Sequence, residues 1–362
     1  MKLYKIVYLG ALVGALALMA QNPMTPELQA LIDKQRSGRP LTPEEERTYR
    51  TLYEARTAPY LKTHPQRVST GLIPLTELGK GKYQEQEGGL YPGGENEPPR
   101  AHREAGLRIA KTIVPLDANG HPSPDGKIVL LSLGMSNTAL EFMEFIKMAQ
   151  VDKALNERLV VINGSQGGQD AVKTSDPAVP YWSIIDERLT VAKVTPKQVQ
   201  AVWLKQAIMG PRQPFPFEAK RLQGYEVSIL QIAQGRYPNL KIAYLASRIY
   251  AGYAKTGLSP EPFAYEDAFG VKWLIADQIA GKPELNYDPA KGPVRAPWIA
   301  WGPYLWADGM KARSDGLVYS ADDLAPDDGT HPNLGAKKKV ATLLLNFLKS
   351  DATAQSWFLR RE

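Results

Sequence analysis

The sequence predicts an α/β domain with a parallel sheet covered on both faces. Three observations carry this. Short apolar runs recur from Lys127 onward, amphipathic segments separate them, and turn-forming residues mark the entry to the first run. Strands buried on both faces read as continuous apolar runs, and strands alternating with helices imply parallel pairing. A length of 362 residues suits one large α/β domain with an extension, or two small domains. With 43% hydrophobic and 9% aromatic residues, the chain has the material for a sizeable core.

The chain starts with a basic Met1–Lys5 stretch, an uncharged apolar run from Ile6 to Ala20, and small residues at Ala15, Ala17 and Ala20. This is the pattern of a secretory signal, cleaved after Ala17 or Ala20. The run is short against the ~20 residues a bilayer span requires. The expectation is a secreted or periplasmic protein with no stable membrane span once residues 1–20 are removed.

Residues 21–126 form the expected extension. Residues 24–60 look helical and charged, and Thr42-Pro43-Glu44-Glu45-Glu46 is a helix start with a cap, a proline and acids in the first turn. Residues 65–126 are rich in Gly, Pro and polar residues and are expected as loops laid against the main domain. Asp117-Ala118-Asn119-Gly120 and Pro124-Asp125-Gly126 are turns leading into the first strand.

The main domain is expected over 127–350, with a tail over 351–362. Its strands are expected at 128–133, 159–162, 201–204 and 241–247, with a fifth between 297 and 320. Helices are expected near 138–152, 181–192, 217–235, 261–280 and 333–349.

Chemistry is expected at the carboxyl ends of these strands. Ser136 follows the first strand directly in Gly134-Met135-Ser136-Asn137 and opens a helix, where its hydroxyl either caps the helix or acts as a nucleophile. Gly164, Gly167 and Gly168 follow the second strand and let backbone approach a ligand, or simply form a tight turn. No Gly-Lys-Ser/Thr follows and the spacing is not G-x-G-x-x-G, so a phosphate loop does not fit. Asp328-Gly329-Thr330-His331 precedes the last helix and can set a carboxylate beside an imidazole, or form a surface turn.

In this order the three segments resemble the SGNH/GDSL hydrolases. Gly134-Met135-Ser136 matches the family's first block, with Met135 in place of its aspartate. Gly168 matches the oxyanion glycine, and Asp328 with His331 matches the last block. The resemblance covers residues 127–349. It implies a flavodoxin-like three-layer α/β/α fold and a Ser136–His331–Asp328 triad hydrolysing an ester. The oxyanion would be held by the N–H groups of Ser136 and Gly168. The third block departs: where an asparagine belongs, the chain reads Val202-Trp203-Leu204-Lys205-Gln206. Trp203 with a polar pair is similar to the carbohydrate-esterase branch. Gln206 is expected to replace the missing oxyanion donor, with Lys205 as the other choice.

Asn137, Lys205, Arg248, Tyr250 and Trp301 are the expected substrate-binding residues. Arg248 and Tyr250 lie just beyond the fourth strand, where Arg248 suits a carboxylate or phosphate, or pairs with a surface acid. Trp298, Trp301 and Trp306 suit an acylated carbohydrate if they line a cleft, or pack in the core. A non-catalytic carbohydrate-binding or scaffold protein on the same fold is the alternative, supported by the absent asparagine.

Other function classes are poorly served. There is no cysteine, which excludes disulfides, thiolate catalysis and zinc-thiolate sites. His64, His102 and His121 lie in polar or turn surroundings and suggest no metal, so no metal or cofactor is expected. The net charge is +6, but Lys337-Lys338-Lys339 is the only tight basic run and reads as a solvated helix face, so nucleic acid is not expected as a partner.

Overall fold

The computed structural model describes residues 24–36 and 41–360. The secretory pattern of residues 1–20 lies outside them. The chain divides into two compact units, Met1–Gln66 with Lys255–Gly257, and Arg67–Ala254 with Leu258–Glu362.

The first unit contains helices α1 (Pro26–Arg36) and α2 (Pro43–Thr63). Thr42 and Glu45 form the capping box that the sequence signals: the Glu45 N–H donates to Thr42 Oγ1 and the Thr42 N–H to Glu45 Oε2. Leu28, Ile32 and Tyr53 close a small apolar contact between the two helices.

The second unit is a three-layer α/β/α domain. Its strands are β1 (Ile128–Gly134), β2 (Leu159–Asn163), β3 (Val199–Lys205), β4 (Ile242–Ala246) and β5 (Trp298–Trp301). They pair in parallel in the order β2-β1-β3-β4-β5. Every residue of β1, β3, β4 and β5 is buried, as their unbroken apolar runs demand, whereas the edge strand β2 is only partly covered.

The covering helices are α3 (Arg100–Ala110), α4 (Ser136–Val151), α5 (Pro180–Val191), α6 (Phe217–Arg236), α7 (Phe263–Ile279), α8 (Leu334–Ser350) and α9 (Ala352–Phe358). Right-handed crossovers place α4 and α8 on one face and α5, α6 and α7 on the other. The packing agrees: α8 lies on α4, and α7 on α6. The strand order reverses between β1 and β3. The helices leaving β1 and β3, α4 and α6, therefore diverge to opposite faces and open a crevice at the carboxyl ends.

Two segments differ from expectation. Residues 65–126 are not all loop: Arg100–Ala110 is helical, and its buried face is His102, Ala105, Gly106 and Ala110. A Cβ on Gly106 would come within 2.4 Å of the Trp298 ring, so glycine is what lets α3 seat there. Residues 352–358, expected as a tail, form α9 with Trp357 and Phe358 buried. Residues 69–71 are pinned by a single carboxylate. The carboxylate of Asp308 accepts from Ser69 Oγ and from the N–H groups of Thr70 and Gly71.

Candidate active site

Ser136 stands two residues beyond β1. The helix-capping position belongs to Met135, which is extended and makes no side-chain cap, so Ser136 is already inside the first turn of α4. Gly134 brings this turn close to β3: a Cβ there would lie 2.4 Å from the Lys205 carbonyl oxygen. Thr138 Oγ1 donates to that same carbonyl at 2.7 Å, and the Gly134 N–H donates to the Tyr181 hydroxyl at 2.9 Å. Ser136 is thus held on a rigid corner.

The loop before α8 carries the partner groups. The N–H groups of Thr330 and His331 both donate to Asp328 Oδ1, at 2.8 and 2.9 Å. This wraps the loop around the carboxylate and leaves Oδ2 for His331 Nδ1, with which it makes a hydrogen bond. The turn requires φ +61° at Gly329, a left-handed conformation that favours glycine. Asn137 Nδ2 donates to the Thr330 carbonyl at 3.0 Å and ties the loop to α4.

The opposite edge of the imidazole meets Ser136: its Oγ and His331 Nε2 are 2.8 Å apart. With Nδ1–H committed to Asp328, Nε2 is left as the acceptor for the Ser136 proton. Burial raises the Asp328 pKa, but the hydrogen bond and charge of His331, with the two N–H donors, outweigh it and hold the carboxyl at about 2. Asp328 is therefore ionised across the neutral pH range.

A pocket opens beside Ser136. Its lining comes from the carboxyl ends of four adjacent strands: Ser136 after β1, Gly168 after β2, Ala207 to Met209 after β3, and Arg248 after β4. Gly168 sits at φ +71°, and its N–H, like that of Ser136, donates to nothing among the described residues. Both line the pocket, as oxyanion donors must.

Several expected site residues have other duties. Gln206 is no oxyanion donor: its Nε2 donates to Thr174 Oγ1 at 2.8 Å and to the Gln169 carbonyl at 3.3 Å, and so braces the glycine loop from beneath. Lys205 does not bind substrate. It is fully buried and its Nζ donates to Glu141 Oε1 at 2.6 Å. Burial pushes the Glu141 carboxyl up and the Lys205 amine down, each moderated by the other's charge. Tyr250 turns away, and its hydroxyl donates to the Arg67 carbonyl at 2.7 Å.

Trp301 is also withdrawn. It is buried in β5 with Nε1–H on the Leu90 carbonyl, while Trp298 bonds the His102 carbonyl and Trp306 bonds Glu261. The tryptophans are core anchors, not a sugar-binding face. His102 is likewise structural rather than peripheral: it stacks on Trp298 with ring centres 4.9 Å apart, and its Nε2 meets the Ile299 carbonyl at 2.8 Å. Arg248 does reach the pocket. Asn137 lines it as well, with its amide nitrogen spent on the histidine loop.

No protein-family model and no curated protein matches the sequence. Among solved structures, the chain is similar to a carbohydrate esterase family 3 protein from Talaromyces cellulolyticus, at 14% identity over 60% of this chain and 93% of that one, with TM-score 0.34. It is similar to an acetyl esterase mutant with acetate ion, at 12% identity over 60% of this chain and 94% of that one, TM-score 0.34. It is also similar to the lipopolysaccharide acetyltransferase periplasmic domain of Salmonella ser. Paratyphi A, at 13% identity over 68% of this chain and 94% of that one, TM-score 0.33.

Proposed function

We propose that this chain is a serine hydrolase of the SGNH type that cleaves a carboxylic ester. The observation that carries the reading is the continuous chain of hydrogen bonds from Ser136 Oγ through His331 to Asp328. The Ser136 oxygen attacks the ester carbonyl carbon as His331 Nε2 takes its proton. The carbonyl oxygen becomes an oxyanion facing the N–H groups of Ser136 and Gly168. The carbon–alkoxy bond then breaks, and His331 returns the proton to the departing alcohol. Water repeats the sequence on the acyl-serine, releasing the acid and restoring Ser136. Asp328 holds His331 in the tautomer this requires and stabilises the transient imidazolium.

The leader-like residues 1–20 support an exported setting. For the alcohol, the Val202-Trp203 pair supports an O-acylated carbohydrate, and the buried tryptophans of residues 298–306 add nothing to that choice. Hydrolysis of p-nitrophenyl acetate by the wild-type protein and by Ser136→Ala tests the mechanism. The expected result is a rate lower by roughly 10³-fold or more in the variant. Equal rates would remove Ser136 from the reaction.

A further inference from the structure

Arg248 is 2% exposed, and its guanidinium donates no hydrogen bond to any described residue, with Nε and Nη2 both sealed from solvent. A buried guanidinium without acceptors is costly, because its lost hydration is not replaced. Burial correspondingly lowers its pKa, against the raising influence of Asp267, Glu141, Glu261 and Asp328.

None of these four acids satisfies it. Glu141 is taken by Lys205, and Asp328 by His331 and two N–H groups. Glu261 accepts from the N–H groups of Ala251 and Tyr265 and from Trp306, and burial raises its pKa to about 7. Asp267 is the strongest of these influences, yet it makes no hydrogen bond or ion pair with Arg248, and its own Oδ2 is buried without a partner. A second polar group in the same pocket is in the same condition: Ser259 is 2% exposed and its Oγ has no partner. The pocket's one carboxylate, Asp170, is spent on the N–H groups of Lys173 and Met209.

We infer that Arg248 and Ser259 form an anion subsite for a carboxylate on the acyl part of the substrate, so that the enzyme prefers monoesters of short dicarboxylic acids. This rests on the serine-esterase reading of the same site. The acyl side is assigned by the placement of the base. His331 must protonate the departing alcohol, yet it is not among the residues that line the pocket; Ser136 and Gly168 are. The pocket therefore takes the half of the ester that stays on Ser136. Met135, Ala207, Ile208, Met209 and Leu258 supply apolar walls for its methylenes, and Arg248 Nη1, the guanidinium nitrogen that is not sealed, meets the terminal carboxylate.

The test compares three acyl-transfer substrates of similar size: ethyl butyrate, monoethyl succinate and O-acetylglycolate. The wild type is expected to favour monoethyl succinate in kcat/KM. In Arg248→Gln the ratio of succinate ester to butyrate ester should fall by roughly 10- to 100-fold, with Arg248→Lys in between. A ratio that does not change on Arg248→Gln would overturn the inference, as would a preference for O-acetylglycolate, which carries its carboxylate on the alcohol side.

Calorimetric binding of free succinate to full-length Ser136→Ala protein separates this subsite from the chemistry. Succinate should bind Ser136→Ala and bind the Ser136→Ala/Arg248→Gln double variant at least about 10-fold more weakly. Binding that survives while Ser136 proves dispensable for turnover would keep the anion subsite and discard the esterase. Ser136-dependent turnover of ethyl butyrate without succinate binding would do the reverse.

Discussion

Replacing Lys205 by methionine should cost stability in a strongly pH-dependent way. Lys205 and Glu141 are both 0% exposed and in direct contact, so the variant strands a carboxylate in the core. Removing one member of a buried pair costs about 3 kcal/mol, which corresponds to a fall in melting temperature of roughly 4–5 °C for a chain of this size. The sign with pH follows from Glu141. Its folded-state pKa is raised by burial and rises further without Lys205. An acid whose folded pKa is raised carries no penalty below its unfolded value, where it is neutral in both states. The penalty grows as pH climbs above that value. Melting curves from pH 4 to pH 8 should therefore show Lys205→Met close to wild type in acid and separated from it at neutral pH. Lys205→Met/Glu141→Leu, which removes both charges, should return to within about 1 kcal/mol of wild type. A destabilisation that is the same at pH 4 and pH 8, or a double variant weaker than either single one, would refute the reasoning. Loss of substrate binding at unchanged stability would restore Lys205 as a ligand-binding residue.

Four further outcomes follow from the triad and its loop. Asp328→Asn should lower kcat by roughly 10³- to 10⁴-fold at intact fold, since an amide favours the wrong imidazole tautomer; circular dichroism and steady-state kinetics together check this. The Asp328 carboxyl falls from an ordinary 3.8 to about 2 on folding. Its stabilisation of about 2 kcal/mol is complete above the ordinary value and disappears as pH drops through about 2, so acid melts of Asp328→Asn should lack that part of the wild-type dependence. Gly329→Ala should lose stability and at least about tenfold in kcat, because φ +61° alone costs about 1–2 kcal/mol and its Cβ would strike the Tyr253 carbonyl. Asn137→Ala removes the Thr330 anchor and should cost about 1 kcal/mol, with a kcat loss milder than that of Asp328→Asn.

The sheet was readable because its physics is local. Ile128–Gly134 and Val199–Lys205 are buried on both faces, so apolar runs mark them without any alternation to decode. The corner at Ser136 and the turn at Asp328–His331 were each equally readable as a helix cap or a surface turn; only their order along the chain, set beside the family resemblance, singled them out. Helix α3 was not legible. Its buried face, His102, Ala105, Gly106 and Ala110, does recur at helical spacing, but its residues are small or polar and its neighbours are rich in Gly and Pro, which masked the period.

Lys205 was misread for a related reason. A lysine at a strand's end looks like a ligand-binding group until its partner is known, and Glu141 lies 64 residues earlier on another element. Gln206 bends the same way, toward Thr174 at the end of the short helix Ala171–Thr174. The aromatic cluster at 298–306 has the composition of a sugar cleft and the burial of a core, and composition does not separate the two. Arg248 was legible by position alone, as the polar residue just past β4. That its guanidinium has no partner emerges only from the packing around it.

The most direct test of the account is covalent labelling with a fluorophosphonate. The reagent reacts with a serine oxygen only when a neighbouring base draws off its proton and the phosphonyl oxygen is held by oxyanion donors. Incubation of the full chain, followed by peptide mass analysis, should place one phosphonyl group on Ser136. Labelling should vanish in Ser136→Ala and fall sharply in His331→Ala. A wild-type protein that stays unlabelled, or one labelled at another serine, would contradict the assignment of Ser136 as an activated nucleophile.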